Sequence, residues 1–146
     1  MTCGVGMSQA NDWCIRASGL QEADALLQLW RKAEATPSVT DTLADVERMI
    51  STATVLVAEA DGKLVGSVFG VFDGWRANIY RLAVHPSYRR RGIARALVSE
   101  VQKQLIRQGA KRFAAIVEVD HPWAVGFWEA VGYSPKHPTV RYTRNV

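Results

Sequence analysis

One stretch constrains this chain more than any other. Asn78 to Val84 reads as a strand, His85-Pro86 ends it, Arg89-Arg90-Arg91-Gly92 follows, and an amphipathic helix opens at Ile93. The helix carries Ala94, Leu97, Val98, Val101 and Leu105 on one stripe, and Gly109 stops it. Such a unit must lay a strand beside a helix and join them through a basic, glycine-bearing corner. That corner suits an anion. The first turn of a helix has backbone N–H groups without partners, and they carry partial positive charge. Gly92 has no side chain to hold a ligand away, Ala94 keeps the first turn small, and three arginines add charge. A pyrophosphate is the right size for it. Taken alone, R-x-x-G-x-A is a weak signal, since a basic loop before a helix is usually a solvated corner.

The remaining residues give that corner a context. Residues 1–11 read as a disordered tail, and residues 12–146 as one domain. Trp13 to Ala17 is a short strand. Ser18 to Gln21 has the spacing of a capping box, and Ala23, Leu26, Leu27, Trp30 and Ala33 place a helix to about Ala35. Thr36 to Asp41 is a loop, and Thr42 caps a second helix with Leu43, Val46, Met49, Ile50 and Ala53 on one face. Thr54–Glu59 and Lys63–Phe72 form a hairpin about Asp61-Gly62. After the central unit come a strand over Arg112–Val119, a short helix over Trp123–Val131 ended by Gly132, and a last strand over Thr139–Thr143. The order β-α-α-β-β-β-α-β-α-β predicts an α/β fold of the α+β type. It combines early antiparallel hairpins with a late βαβ crossover.

Composition excludes little else. The formal charge is +4, a modest excess gathered partly at Arg89–Arg91, which a local anionic ligand explains as well as nucleic acid does. No stretch approaches the roughly 18 apolar residues of a membrane span. The N-terminus lacks the pattern of a signal peptide. Cys3 and Cys14 make neither a disulfide framework nor a metal-ligand spacing, so a reducing, cytoplasmic setting is expected.

The corner resembles the acyl-CoA-binding motif of the GNAT acetyltransferases, Q/R-x-x-G-x-G/A, with Arg89, Gly92 and Ala94 at its three defined positions. Leu82-Ala83-Val84-His85-Pro86 resembles that family's strand end. Gly126-Phe127-Trp128-Glu129-Ala130-Val131-Gly132-Tyr133 resembles its F-Y-E-x-x-G-F/Y ending. The likeness spans about residues 13–145 and is nearest to small bacterial YpeA-like members, through Leu29-Trp30 and Ala83–Pro86. It implies a mixed, mostly antiparallel, twisted sheet of 6–7 strands with about four helices, splayed between the fourth and fifth strands. It implies acetyl-CoA as co-substrate, no metal, and a primary amine as acceptor. Backbone groups of Leu82, Ala83 and Val84 would pair with the pantetheine arm. Arg89, Arg90, Arg91, Gly92, Ile93 and Ala94 would form the pyrophosphate site, and Trp128 would lie under the coenzyme arm. The Thr36–Asp41 loop would wall the acceptor site. Family members are often dimers, which leaves a homodimer open.

The same resemblance exposes two departures. Many members carry a tyrosine at the position of Trp128 to protonate the departing thiolate, and indole cannot do this. His121 stands where an asparagine is usual. Glu118, Tyr80 and His121 are therefore the candidate catalytic groups. Glu118 is the best placed as base; the thiolate could leave unassisted, since a thiol is a fairly good leaving group, or His121 or Tyr80 could serve as acid. Plainer roles compete: Trp128 as packing, His121 as a helix cap before Pro122, Tyr80 as a core aromatic and Glu118 as a solvated carboxylate. Two rival functions follow. One is a catalytically silent acyl-CoA-binding module, favoured by Trp128. The other is a nucleic-acid-binding domain, ranked last because no stacking-aromatic platform accompanies the arginines.

Overall fold

The computed structural model describes residues 12–146, so the reading of residues 1–11 as a tail lies outside the described part. The described chain forms two compact units that divide after Ala115.

The first unit holds a five-stranded sheet in the order β1 (Trp13–Ala17), β2 (Thr54–Ala60), β3 (Lys63–Phe72), β4 (Ala77–Val84) and β5 (Phe113–Ala115). The first three pairings are antiparallel and β4–β5 is parallel. At the β2–β3 turn both Asp61 (φ 52°) and Gly62 (φ 72°) are left-handed, as a two-residue turn matched to strand twist requires. The helices are α1 (Ala23–Lys32), α2 (Leu43–Thr52) and α3 (Ile93–Gln108), and the second unit contributes α4 (Pro122–Ala130).

The two faces of the sheet bury different partners. Toward α3, β3 presents Gly66 and Gly70, where a Cβ would lie 3.0 Å from Ile93 and 2.4 Å from Val101 respectively. The absent side chains let α3 press Ile93, Leu97, Val98, Val101 and Leu105 close to the strand, and all five are buried. Toward α1 and α2, the core joins Leu26, Trp30, Val46, Val55, Val57, Phe69 and Ala83. A 3-10 turn over Leu20–Glu22 precedes α1 and starts one residue later than the capping-box spacing suggests. Gly19 is the cap of the opening 3-10 turn, and its N–H donates to the Glu22 carboxylate at 2.8 Å. Arg16 grips both oxygens of that carboxylate at 2.8 and 2.7 Å and reaches Glu59 at 2.9 Å. Thr42 caps α2 as expected, accepting from the Asp45 N–H at 3.2 Å.

Four expectations need correction. The sheet has five strands among the described residues, fewer than the 6–7 implied. The strand read over Arg112–Val119 is paired only at Phe113–Ala115, and Thr139–Thr143 forms no strand. β-branched residues alone do not make a strand; they need a paired backbone edge, and β4 offers β5 only Ala77, Asn78 and Ile79. Cys14 is disulfide-bonded, which the expectation of a reducing setting did not anticipate.

Candidate functional site

The pairing of β4 changes partway along it. Ala77, Asn78 and Ile79 face β5, whereas Tyr80 to Val84 continue without a β5 partner, so the strands part at Ile79–Tyr80. The same strand is irregular against β3, its register shifting between Ser67↔Ala83 and Phe69↔Tyr80. Arg81 sits in that shift at φ 52°, a conformation that bulky side chains rarely take. The backbone groups of Tyr80 to Val84 on the β5 side thus have no strand partner among the described residues, and Leu82 to Val84 are those the resemblance assigns to the pantetheine arm.

A buried polar set holds the shift in place. Ser67 is fully buried; its hydroxyl accepts from Trp30 Nε1 at 3.0 Å and donates to the Arg81 carbonyl at 2.8 Å. Trp30 packs edge-on against Phe69 at 5.3 Å. The Arg81 guanidinium lies 4.8 Å over the Trp30 ring and donates to Thr36 O at 3.0 Å and Asp41 Oδ1 at 2.5 Å. Sequence reasoning missed Ser67, Arg81 and Asp41. Nothing local marks them, because their partners are 14 to 45 residues away.

Beyond Val84, His85 Nδ1 accepts from the Ser87 N–H at 3.1 Å and starts a 3-10 turn over Pro86–Tyr88. Arg90 (φ 63°) and Gly92 (φ 85°) are both left-handed, a turn geometry that points successive N–H groups inward. No side chain caps α3, and its first internal bond is Ala96 N–H to Gly92 O at 3.0 Å. The amides of Ile93 to Arg95 therefore precede the helix ladder. A Cβ built on Gly92 meets nothing within 4 Å, so the space beside Gly92 itself is open. These residues, with a left-handed glycine and an uncapped helix start, fit an anionic phosphate group.

The three arginines of the run differ in use. Arg89 donates to Val84 O at 3.2 Å and to Ala33 O at 3.3 Å, tying the end of β4 to the C-cap of α1. Arg91 lies 4.9 Å over the Tyr88 ring and contacts Ser87 O at 3.4 Å. The exposed Arg90 guanidinium makes no bond or ring contact among the described residues, which leaves its charge for a ligand.

Of the catalytic candidates, Tyr80 is 39 % exposed on β4 and so is not a core aromatic. Glu118 and His121 lie in the second unit and pair at 3.0 Å, both side chains about half exposed. His121 is the N-cap residue of α4, yet its side chain does not cap; it turns to Glu118 instead. Glu118, Asp120 and His121 bring their ligand atoms within 4.8 Å of one another. Trp128 is buried, with its ring 5.4 Å from Phe127 and 4.8 Å from Tyr133. Burial pushes the Tyr133 phenol up to about 12.

The comparisons identify the family and the fold. The model of the acetyltransferase (GNAT) family matches residues 23–133. Acetyltransferase ECA0875 of Pectobacterium atrosepticum is 36 % identical over 121 residues, covering 82 % of this chain and 86 % of that protein. The chain belongs to the GNAT acetyltransferase family. Solved structures of GNAT acetyltransferases share its fold at lower identity. The PaiA N-acetyltransferase of Thermoplasma acidophilum, in complex with coenzyme A, has a TM-score of 0.78 at 17 % identity, over 87 % of this chain and 92 % of that one. The aminoglycoside N-acetyltransferase AAC(6')-Iy, bound to a bisubstrate analogue, has a TM-score of 0.75 at 19 % identity, over 93 % and 100 %. The five-stranded, mostly antiparallel sheet with four helices is the mixed α/β fold of this GNAT family. No helix among the described residues is long and apolar enough to cross a membrane.

Proposed function

We propose that this GNAT protein transfers the acetyl group of acetyl-CoA to a primary amine by direct attack, without a metal. The observation that carries the reading is the uncapped start of α3 behind a left-handed Gly92, at the end of a strand that has parted from its neighbour. Amides from Arg90 to Ala94 would hold the pyrophosphate, with Arg90 adding charge. The open backbone of Leu82, Ala83 and Val84 would line the pantetheine arm. Arg89 and Arg91 would shape the corner, while the buried Trp128 would pack. Family membership and the coenzyme A complex of the PaiA relative support the co-substrate. The aminoglycoside enzyme's bisubstrate complex supports a small amine acceptor. The narrower likeness to YpeA-like members, a cytoplasmic setting and a homodimer belong to the same proposal.

Chemically, an alkyl ammonium near pKa ~10.4 must lose a proton before it can attack. The amine nitrogen then bonds the thioester carbon, the C–S bond breaks, and the thiolate leaves and takes up a proton. Glu118 is the carboxylate proposed to accept the amine proton, directly or through water. His121, paired with Glu118, and Tyr80, exposed on the parted strand, are the proposed donors to the thiolate in place of the family tyrosine. A backbone N–H of Leu82 to Val84 would stabilise the developing oxyanion. Trp128 favours a second reading, an acyl-CoA-binding module without turnover.

Calorimetry with acetyl-CoA tests the proposal. Gly92→Asp against Gly92→Asn is the sharper pair, because both residues tolerate a left-handed backbone and they differ in charge. Micromolar binding by wild type, kept within a few-fold by Asn and lost with Asp, is expected. No binding by folded wild type would overturn the proposal. Binding without acetyl transfer across a broad amine panel would select the silent module.

A further inference from the structure

The polar set around the bulge of β4 points to a residue that the family motifs do not contain. Arg81 occupies the bulge with a left-handed backbone, and its carbonyl and its side chain are both committed. The carbonyl is held from below by Ser67, itself held by Trp30. The guanidinium, stacked on Trp30, reaches outward to two points of the Thr36–Asp41 loop, the carbonyl of Thr36 and the carboxylate of Asp41. Asp41 passes the constraint on. Its other oxygen accepts from the Ser38 N–H at 3.0 Å, and its own N–H donates to Ser38 O at 3.0 Å. Thr36 to Thr40 are exposed and none lies in a helix or strand, so the ends of this loop are fixed largely through Arg81.

We infer that Arg81 is a positioning residue that clamps the acceptor-side loop to the strand presenting the thioester, and thereby sets the affinity for the amine rather than for acetyl-CoA. The inference rests on the proposed function for the identity of the two ligands, though not for the clamp itself. Its physical basis is a planar fork. A guanidinium can meet a carbonyl and a carboxylate at once while its face rests on an indole, and neither a lysine nor a neutral side chain can do all three. Loss of the fork would release the loop while Ser67 and Trp30 still hold the backbone shift.

The test uses the full chain and the variants Arg81→Ala, Arg81→Lys, Asp41→Asn and Arg81→Ala/Asp41→Asn. Hydrogen exchange should speed at the amides of residues 36–41 in every variant, while the amides of α3 stay protected. With the best acceptor from a panel of lysine, spermidine and an aminoglycoside, KM for the amine should rise about tenfold or more in Arg81→Ala, the scale of one charged hydrogen bond. kcat and the acetyl-CoA Kd should stay within about threefold, a change of well under 1.4 kcal/mol. Arg81→Lys should fall between wild type and alanine. The double variant should add little to Arg81→Ala, because both changes cut one link. Unchanged exchange at residues 36–41 would overturn the clamp. So would an acetyl-CoA Kd that weakens as much as the amine KM. If wild type binds no acetyl-CoA, the proposed function fails, and the exchange arm still decides the clamp.

Discussion

The two faces of the sheet are built on opposite rules. On the α3 side the contact is dry and aliphatic, and glycines at 66 and 70 set how near the helix comes. On the α1 side a tryptophan, a serine and an arginine are linked by directed hydrogen bonds through otherwise apolar packing. Close packing is non-directional, so the first face fixes a distance: how far the start of α3 stands from the end of β4. Hydrogen bonds have direction, so the second face fixes a shape: the bulge at Arg81. The proposed site, with a phosphate seat beyond the end of β4, would draw on both.

Substitutions should separate the two rules. The largest loss is expected on the dry face. Leu97→Ala removes a fully buried side chain and should cost about 2–5 kcal/mol in denaturant unfolding. Gly70→Ala should cost about 1–3 kcal/mol by overpacking, and pairing it with Val101→Ala should recover part of that, since Val101 is the nearest obstacle. On the polar face, Ser67→Ala should cost about 1–3 kcal/mol by leaving the Trp30 N–H and the Arg81 carbonyl unpaired. Adding Trp30→Phe to Ser67→Ala should cost less than the sum of the singles, a non-additivity that Leu97→Ala with Ser67→Ala should lack. An additive Trp30–Ser67 pair would erase the distinction drawn between the faces.

The smallest expected effect concerns pH. The hydrogen bond from Arg16 holds the Glu22 carboxyl below its ordinary value of 4.5, against the opposing effect of burial. A depressed folded-state value means that the stabilisation is present above about pH 4.5 and is lost as pH falls through the folded value. Glu22→Gln should lower stability at neutral pH and flatten the acid limb of the stability–pH curve. Gly70→Ala should shift that curve down without changing its slope, which thermal melts between pH 3 and 7 would show.

What the sequence disclosed follows the range of the interactions. The hairpin at Asp61-Gly62, the caps at Thr42 and Gly109 and the span of α3 depend on neighbours within a few residues, and they stand where the sequence puts them. The uncapped start of α3 behind Gly92 was legible for the same reason, since Arg90, Gly92 and the helix start are contiguous. The bulge was not, because it depends on Ser67 meeting Trp30 37 residues away. Arg89 was read as a phosphate ligand, and only the fold shows its guanidinium bonded to Val84 and Ala33. The strand over Arg112–Val119 was read too long because β propensity reports on a side chain, whereas a strand ends where its partner's backbone departs. His121 was read as a cap or an acid, and its bond to Glu118 gives it a third character that spacing alone does not reveal.

Gly70 carries a consequence for how this chain tolerates change. Any missense mutation of a glycine codon adds at least one carbon, and the smallest addition already falls 2.4 Å from a valine methyl. The position therefore has no conservative neighbour in the genetic code. Drift can exchange one aliphatic residue for another along α3, but at this point of β3 a first step carries the overpacking penalty in full unless the helix has already given up a methyl group.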